Sequence, residues 1–212
     1  MDMRENGALL TLDHLAVCAE TLDAGSDYIE EVLGVAPGQG GRHAQMGTHN
    51  RLLSLGPEIY LEVIAIDPAA PKPGRARWFD LDRFGGSPKL TNWIAKCDDL
   101  EPALKASPPG NMHVMDLVRG DLRWQMAVPE SGRVAFNGGF PALISWAGIA
   151  HPATRLQDQG CRLEELRIIH PEAVALQGYL DPLIDMATLT IETGPEVRLE
   201  AHIHTPSGLR IL

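Results

Sequence analysis

A histidine and a glutamate, His14 and Glu62, each interrupt an apolar run with strand-like alternation, LDHLAVCA at 12–19 and IYLEVIAI at 59–66. Alternate side chains of a strand share a face, so His14 is expected to lie with Leu12, Ala16 and Cys18 and opposite Leu15, Val17 and Ala19. By the same rule Glu62 shares its face with Tyr60, Ile64 and Ile66. Desolvating an unpaired carboxylate is costly, so Glu62 calls for a partner, a cavity or a metal. Imidazole and carboxylate facing one hollow suit zinc, iron, manganese or nickel, and they equally make a structural hydrogen-bonded pair.

A second group with chemical potential is GGRH-x3-GTHN at 40–50. Arg42 has the planar fork that grips a carboxylate or phosphate, and His43 or His49 is placed to move a proton near neutral pH. His49 is also a candidate third metal ligand beside His14 and Glu62, and with Glu62 a candidate catalytic group. The competing reading gives Gly40, Gly41 and Gly47 a bulge or loop and leaves His43 and His49 with structural hydrogen bonds. Asn50, Asn92, Trp93, Arg123, Trp124 and Ser145 are the further candidates for a substrate-binding wall. His202 and His204 alternate on one strand without an acidic ligand in an evident motif, and His151 before Pro152 reads as fixing a turn.

Positioning these side chains falls to a repeated unit. Leu22, Ser26, Ile29 and Leu33 recur at helical spacing until Gly34. That stripe should cover the Leu15/Val17 and Leu61/Val63 side, leaving His14 and Glu62 on the opposite, concave side. LDHLAVCAETLDA at 12–24 aligns with LTNWIAKCDDLEP at 90–102, which matches His14 with Asn92. Strand-like stretches follow at 42–46, 49–55 and 59–66, and again at 112–118, 121–128 and 140–146, so both halves spell βαβββ and YLEV aligned on LISW sets Glu62 against Ser145. The expected fold is α+β: a first module at 9–68, a connecting loop at 69–88, a second module at 89–148, and a partial βαββ unit at 161–212 packed on the same domain. The connection is rich in turn residues around WFDLDRF, with Trp78 and Phe79 as an anchor or as part of a moving lid.

Composition narrows the function classes. The 212 residues are 44% hydrophobic and 22% charged, the balance of a soluble globular chain. A formal charge of −10 with no basic stripe argues against nucleic-acid binding. No apolar run reaches bilayer length and MDMRENGALL lacks a secretory h-region, so no membrane partner is expected and the cytoplasm is the expected location. Cys18, Cys97 and Cys161 form no C-x-x-C pair and no disulfide framework. No organic cofactor is indicated.

Paired βαβββ units with a histidine on a first strand and a glutamate on a last strand resemble the vicinal oxygen chelate superfamily. More narrowly, Asp13-His14-Leu15, GGRH-x3-GTHN and Tyr60-Leu61-Glu62, with RGDLRW at 119–124 and HPA at 151–153, resemble its glyoxalase-like domain family over nearly the whole chain. The resemblance implies a curled, barrel-like sheet around a ligand cleft, a small-molecule ligand, and a homodimer. In metal-dependent members both modules contribute first-strand and last-strand side chains to one divalent ion. His14 and Glu62 fit the first module's positions; Asn92 and Ser145 stand at the second module's, so a third ligand falls to His49, His43 or His113. Three functions stay open on the sequence: a metal-assisted lyase, isomerase or dioxygenase acting on a small oxygen-rich substrate, a protein that binds or sequesters a ligand without turnover, and a scaffold that has lost its chemistry.

Overall fold

The computed structural model describes residues 9–212, and the first eight residues of the stretch read above for a secretory signal lie outside the described residues. The first module runs β1 (Thr11–Cys18), α1 (Leu22–Leu33), β2 (Gly38–His43), β3 (Thr48–Ser54) and β4 (Tyr60–Ile66). Thr21 opens α1 by accepting the Ala24 amide, which satisfies one of the free donors of the first turn. Ile29 and Leu33 then pack on Leu15, Val17, Leu61 and Val63, so the helix covers the face predicted by its stripe. The second module repeats the order with β5 (Lys89–Lys96), α2 (Leu100–Ala106), β6 (Met112–Arg119), β7 (Leu122–Pro129) and β8 (Ala142–Trp146). Together they form one eight-stranded sheet in the order β2-β3-β4-β1-β5-β8-β7-β6.

The antiparallel β1–β5 seam carries an internal symmetry. His14 pairs with Ile94 and Ala16 with Asn92; Leu12 pairs with Ala95 and Val17 with Leu90; Leu15 faces Trp93. Every pair maps onto another, or onto itself, under one offset of 78 residues (92 − 14), so a pseudo-twofold passes between Leu15 and Trp93. The register shifts on either side of this centre are symmetric too, leaving Asp13 on β1 and Thr91 on β5 as the extra residues. The bulge corrects one expectation. Leu12 joins Leu15 and Val17 in the helix-side core instead of sharing the face of His14, because the extra residue breaks the alternation.

Strand pairing also fixes the counterpart of Glu62. Ala16 pairs with Glu62 in the parallel β1–β4 ladder, and Ile94, which the offset matches to Ala16, pairs with Ala142 in the β5–β8 ladder. Ala142, not Ser145, therefore occupies the position equivalent to Glu62. The difference is three residues, an odd number, which turns Ser145 to the other face, where its hydroxyl donates to the Asp98 carbonyl at 3.0 Å.

The C-terminal unit is β9 (Arg162–His170), α3 (Ala173–Leu180), β10 (Leu189–Thr193), β11 (Arg198–Thr205) and a short β12 (Gly208–Ile211), one strand longer than expected. It makes a separate four-stranded sheet in the order β10-β9-β11-β12, with β9 and β10 parallel, so it does not repeat the module topology. Leu166, Ile168, Leu199, Ala201 and Ile203 share one core with Leu15, Trp93 and Leu143, which places this sheet against the convex side of the large one. The concave side is filled from the connection. Trp78, Phe79 and Leu81, in 3-10 turns spanning Trp78–Arg83, are buried with Met46, Ile94, Trp124 and Ile144. Buried Arg77 ties this segment down through the Gly47 carbonyl at 3.3 Å and Asp82 at 2.5 Å.

Candidate active site

On the concave face His14 and Glu62 meet, with Nε2 and Oε2 3.6 Å apart and both side chains about 94% buried. The bulge brings Asp13 to the same side, where its Oδ1 lies 2.5 Å from His14 Nδ1. Asp13 Oδ2 accepts from Trp146 Nε1 at 2.9 Å and sits 2.8 Å from His151 Nε2. His151 Nδ1 accepts the Ala153 amide, which assigns the proton to Nε2 and makes His151 a donor to Asp13. Beyond capping a turn, His151 thus orients the carboxylate behind His14. The Tyr60 ring stacks on the His14 imidazole with centroids 4.4 Å apart.

Glu62 is held from the other side by Asn50, whose Nδ2 donates to Oε1 at 2.5 Å. Asn50 is itself fixed by the Gly41 amide at 2.7 Å and by Arg119 Nη1 at 3.1 Å, both donating to Oδ1. The glycine pair of GGRH explains this contact. A Cβ on Gly40 would collide with the Asn50 backbone carbonyl and side chain, and one on Gly41 with the Arg119 side chain. Arg119 comes from the end of β6, the far edge of the sheet, so the curl brings the outer strands β2 and β6 together across the cleft. His43 completes the cluster, with Nδ1 3.1 Å from Thr48 Oγ1 and Nε2 3.4 Å from both Asn50 and Arg119.

These contacts set the charges. Burial alone would lower the proton affinity of His14, but hydrogen bonds and charge from Asp13 and Glu62 outweigh it and raise the pKa to about 9. Burial pushes the Glu62 carboxyl up, while His14 and the Asn50 amide hold it down at about 2. Asp13 is likewise held below the carboxylate range by His14 and His151 despite its burial. Burial takes His43 down to about 4, which keeps it neutral. Around neutral pH the floor of the cleft is an Asp13 carboxylate, a His14 imidazolium and a Glu62 carboxylate in a row, with the Arg119 guanidinium beside them. His14, Glu62 and Arg119 open onto a cavity of about 30 Å³, walled by Trp78, Phe79, Trp124, Met126, Ile144 and Trp146, with Asp13 behind the imidazole. That space holds a water or two, since a water needs roughly 10–15 Å³.

Several expected residues fall elsewhere. His49 alternates with Asn50 along β3 and lies opposite Arg42, so both project from the other face of the sheet; Arg42 pairs with Asp67 at 3.2 Å. Burial lowers the pKa of His49. Arg123 is exposed, alternating with buried Trp124. Trp93 is wholly buried on the helix side, donating to the Gly139 carbonyl at 2.9 Å. Asn92 does face the concave side, but it lines a neighbouring cavity beyond Phe79. Asp13, Tyr60, Trp78, Phe79, Arg119, Trp146 and His151 are the participants that the list of candidate site residues lacked. The connection's aromatics pointed toward Trp78 and Phe79, whereas nothing in one sequence marks the bulge that recruits Asp13.

An ion shared by both modules would need donors at four positions. His14 Nε2 and Glu62 Oε2 are spaced for two donors at zinc bond lengths of about 2.0–2.2 Å. The matching positions, Asn92 and Ala142, supply a carboxamide facing another cavity and a methyl group. His49 is on the wrong face, and among the described residues no group of three His, Cys, Asp or Glu side chains is arranged to hold a metal. The donors of this chain do not fit the shared ion.

The family model described as "Glyoxalase-like domain" matches residues 12–184. Among solved structures, a hypothetical protein from Staphylococcus aureus is similar at 14% identity and TM-score 0.58, over 89% of this chain and 88% of that one, a likeness of fold. Methylmalonyl-CoA epimerase from Mycobacterium tuberculosis aligns at 16% identity and TM-score 0.44, over 68% of this chain and 92% of its own. The Streptomyces coelicolor epimerase in complex with 2-nitronate-propionyl-CoA aligns at 13% identity and TM-score 0.42, over 68% and 100%. None of the curated proteins matches the chain. Among the described residues no helix is long and apolar enough to cross a membrane.

Proposed function

Since the chain belongs to the glyoxalase-like domain family of the vicinal oxygen chelate superfamily, we propose that it is an isomerase- or lyase-type enzyme that moves a proton on a small oxygen-rich anion held in the cleft. The observation that carries this reading is the buried Asp13–His14–Glu62 array, facing a cavity beside Arg119 and Asn50. In the free site Glu62 is too weak a base, because His14 and Asn50 hold its pKa at about 2. A substrate carbonyl or carboxylate that accepts hydrogen bonds from His14 and Arg119 takes the His14 donor away from Glu62. The full burial of the carboxylate then raises its proton affinity. Glu62 removes a proton from the carbon next to the carbonyl, the electron pair moves onto oxygen as an enolate, and His14 and Arg119 stabilise that charge. Returning the proton to carbon completes an isomerisation, and expelling a group from the neighbouring carbon completes an elimination. Asp13 and His151 keep the imidazole oriented throughout. The aromatic walls around the small cavity require the Trp78–Phe79 segment to shift when a substrate enters.

Solvent-deuterium exchange tests the reading. A panel of 2-oxo and 2-hydroxy carboxylates incubated with the protein in D₂O should include a member whose proton signal next to the carbonyl washes out. Glu62→Gln should slow the exchange by about 10²–10⁴-fold, the usual contribution of a positioned base. A compound that binds in the cleft without exchange would instead favour a sequestering protein.

A further inference from the structure

We propose that the cavity beyond Phe79 is a second ligand subsite, built for a multivalent oxyanion such as a phosphate or dicarboxylate group. It measures about 380 Å³ and shares only the Phe79 wall with the cavity over His14 and Glu62.

Asn92, 4% exposed, opens into this space, and no protein group among the described residues engages its carboxamide. Its polar atoms are reached from the cavity, where water or a ligand can take their hydrogen bonds. Its surroundings keep it clear. Gly138 lies against it with φ 91°, and a Cβ there would strike the Thr91 carbonyl and crowd the Asn92 amide nitrogen. The glycine is thus required by both its backbone conformation and the space it leaves.

The walls add charge. Arg83, Arg133 and Lys89 line the cavity against one carboxylate, Asp80, in a chain whose formal net charge is −10. Asp80 pairs with Arg83 and receives Arg133 through Nε at 3.1 Å and Nη2 at 3.0 Å. One carboxylate thereby sets two guanidiniums side by side, and the lining keeps an excess of two positive charges (three cations less one anion). The N–H groups not spent on Asp80, or by Arg83 on the Ser131 carbonyl at 3.1 Å, match an oxyanion with two or more acceptor oxygens, and Asn92 at the floor offers a donor pair to the same ligand. A single carboxylate would satisfy one fork and leave the other, so a doubly charged group fits better.

The test uses inorganic phosphate and malonate as probes and acetate as the singly charged control, with binding to the full chain followed by amide chemical shifts at low ionic strength. Saturable binding of phosphate or malonate that acetate does not reproduce is expected, and the stronger of the two names the preferred head group. Arg83→Gln with Arg133→Gln should weaken it at least tenfold. Asn92→Asp, which keeps the shape but adds a negative charge, should do the same. Lys89→Gln, an exposed change, should weaken it to a smaller degree. His14→Gln should leave it unchanged. No saturable binding of either probe would overturn the subsite, as would binding lost in His14→Gln but kept in the arginine variants.

Discussion

Asp13 shows how much a single backbone irregularity can decide. As a residue it reads as the first letter of DHL, and strict alternation would turn it away from His14. The bulge instead sets both on the concave side, where Asp13 bonds to His14 and His151 and holds a proton on the imidazole. The consequence is a definite pH dependence. His14 is raised from 6.5 to about 9, so the stability it contributes is complete below pH 6.5 and is lost as pH rises through 9. His43 is lowered from 6.5 to about 4 by burial, so it binds its proton more weakly folded than unfolded, and stability is lost as pH falls from 6.5 toward 4. Glu62, lowered from 4.5 to about 2, adds a further loss below pH 4.5. Urea midpoints measured from pH 4 to 10 should therefore peak near pH 6.5. In Asp13→Asn the His14 pKa falls, and the alkaline decline should be complete at a lower pH than in the wild type; an identical alkaline limb would remove Asp13 as the partner of His14. His14 and Glu62 were legible from residue type within an apolar run. Asp13, Arg119 and His151 were not, because a bulge, a sheet edge and a loop bring them in.

At the level of elements, the glycine pair of β2 is a steric requirement. Gly40 lies so close to β3 that its missing Cβ makes room for the Asn50 carbonyl, and that proximity seats the Gly41 amide on the Asn50 side chain. Gly40→Ala should cost about 1–3 kcal/mol, as overpacking does, and should loosen the Asn50–Glu62 contact. A urea midpoint within error of the wild type would show that β2 yields freely. Helix α1 and the strands of both modules were readable from periodicity, since the apolar stripe and the turn residues agree there. The pairing of Glu62 with Ser145 failed because matching strand ends ignores the ladder. Only the hydrogen-bonded register reveals the three-residue slip, and an odd slip reverses every side chain. His49 and Arg42 were misplaced for a related reason: they sit in one motif with Asn50 and His43, but strand alternation divides the motif between two faces.

Across the whole molecule, the two modules were visible as a repeat, while the C-terminal sheet was visible only as a run of elements. Its packing on the convex side depends on long-range burial of Leu166, Ile168 and Ile203 that no local pattern encodes. The pseudo-twofold also shows how unevenly the halves are used: the first carries His14 and Glu62, the second Asn92 and Ala142. That asymmetry makes the scaffold an attractive host for protein engineering. Introducing Asn92→His together with Ala142→Glu would write the first module's donors into the second and give a designer four candidate ligands related by one axis. Without metal, the added carboxylate, placed where Ala142 is 4% exposed, should lower the melting temperature. Zinc or nickel should restore it in proportion to ion concentration, since an ion that binds only the folded state stabilises it. The wild type, with half of that set, should show no comparable rise, and a double variant whose melting ignores metal would mean that Phe79 keeps the two halves apart.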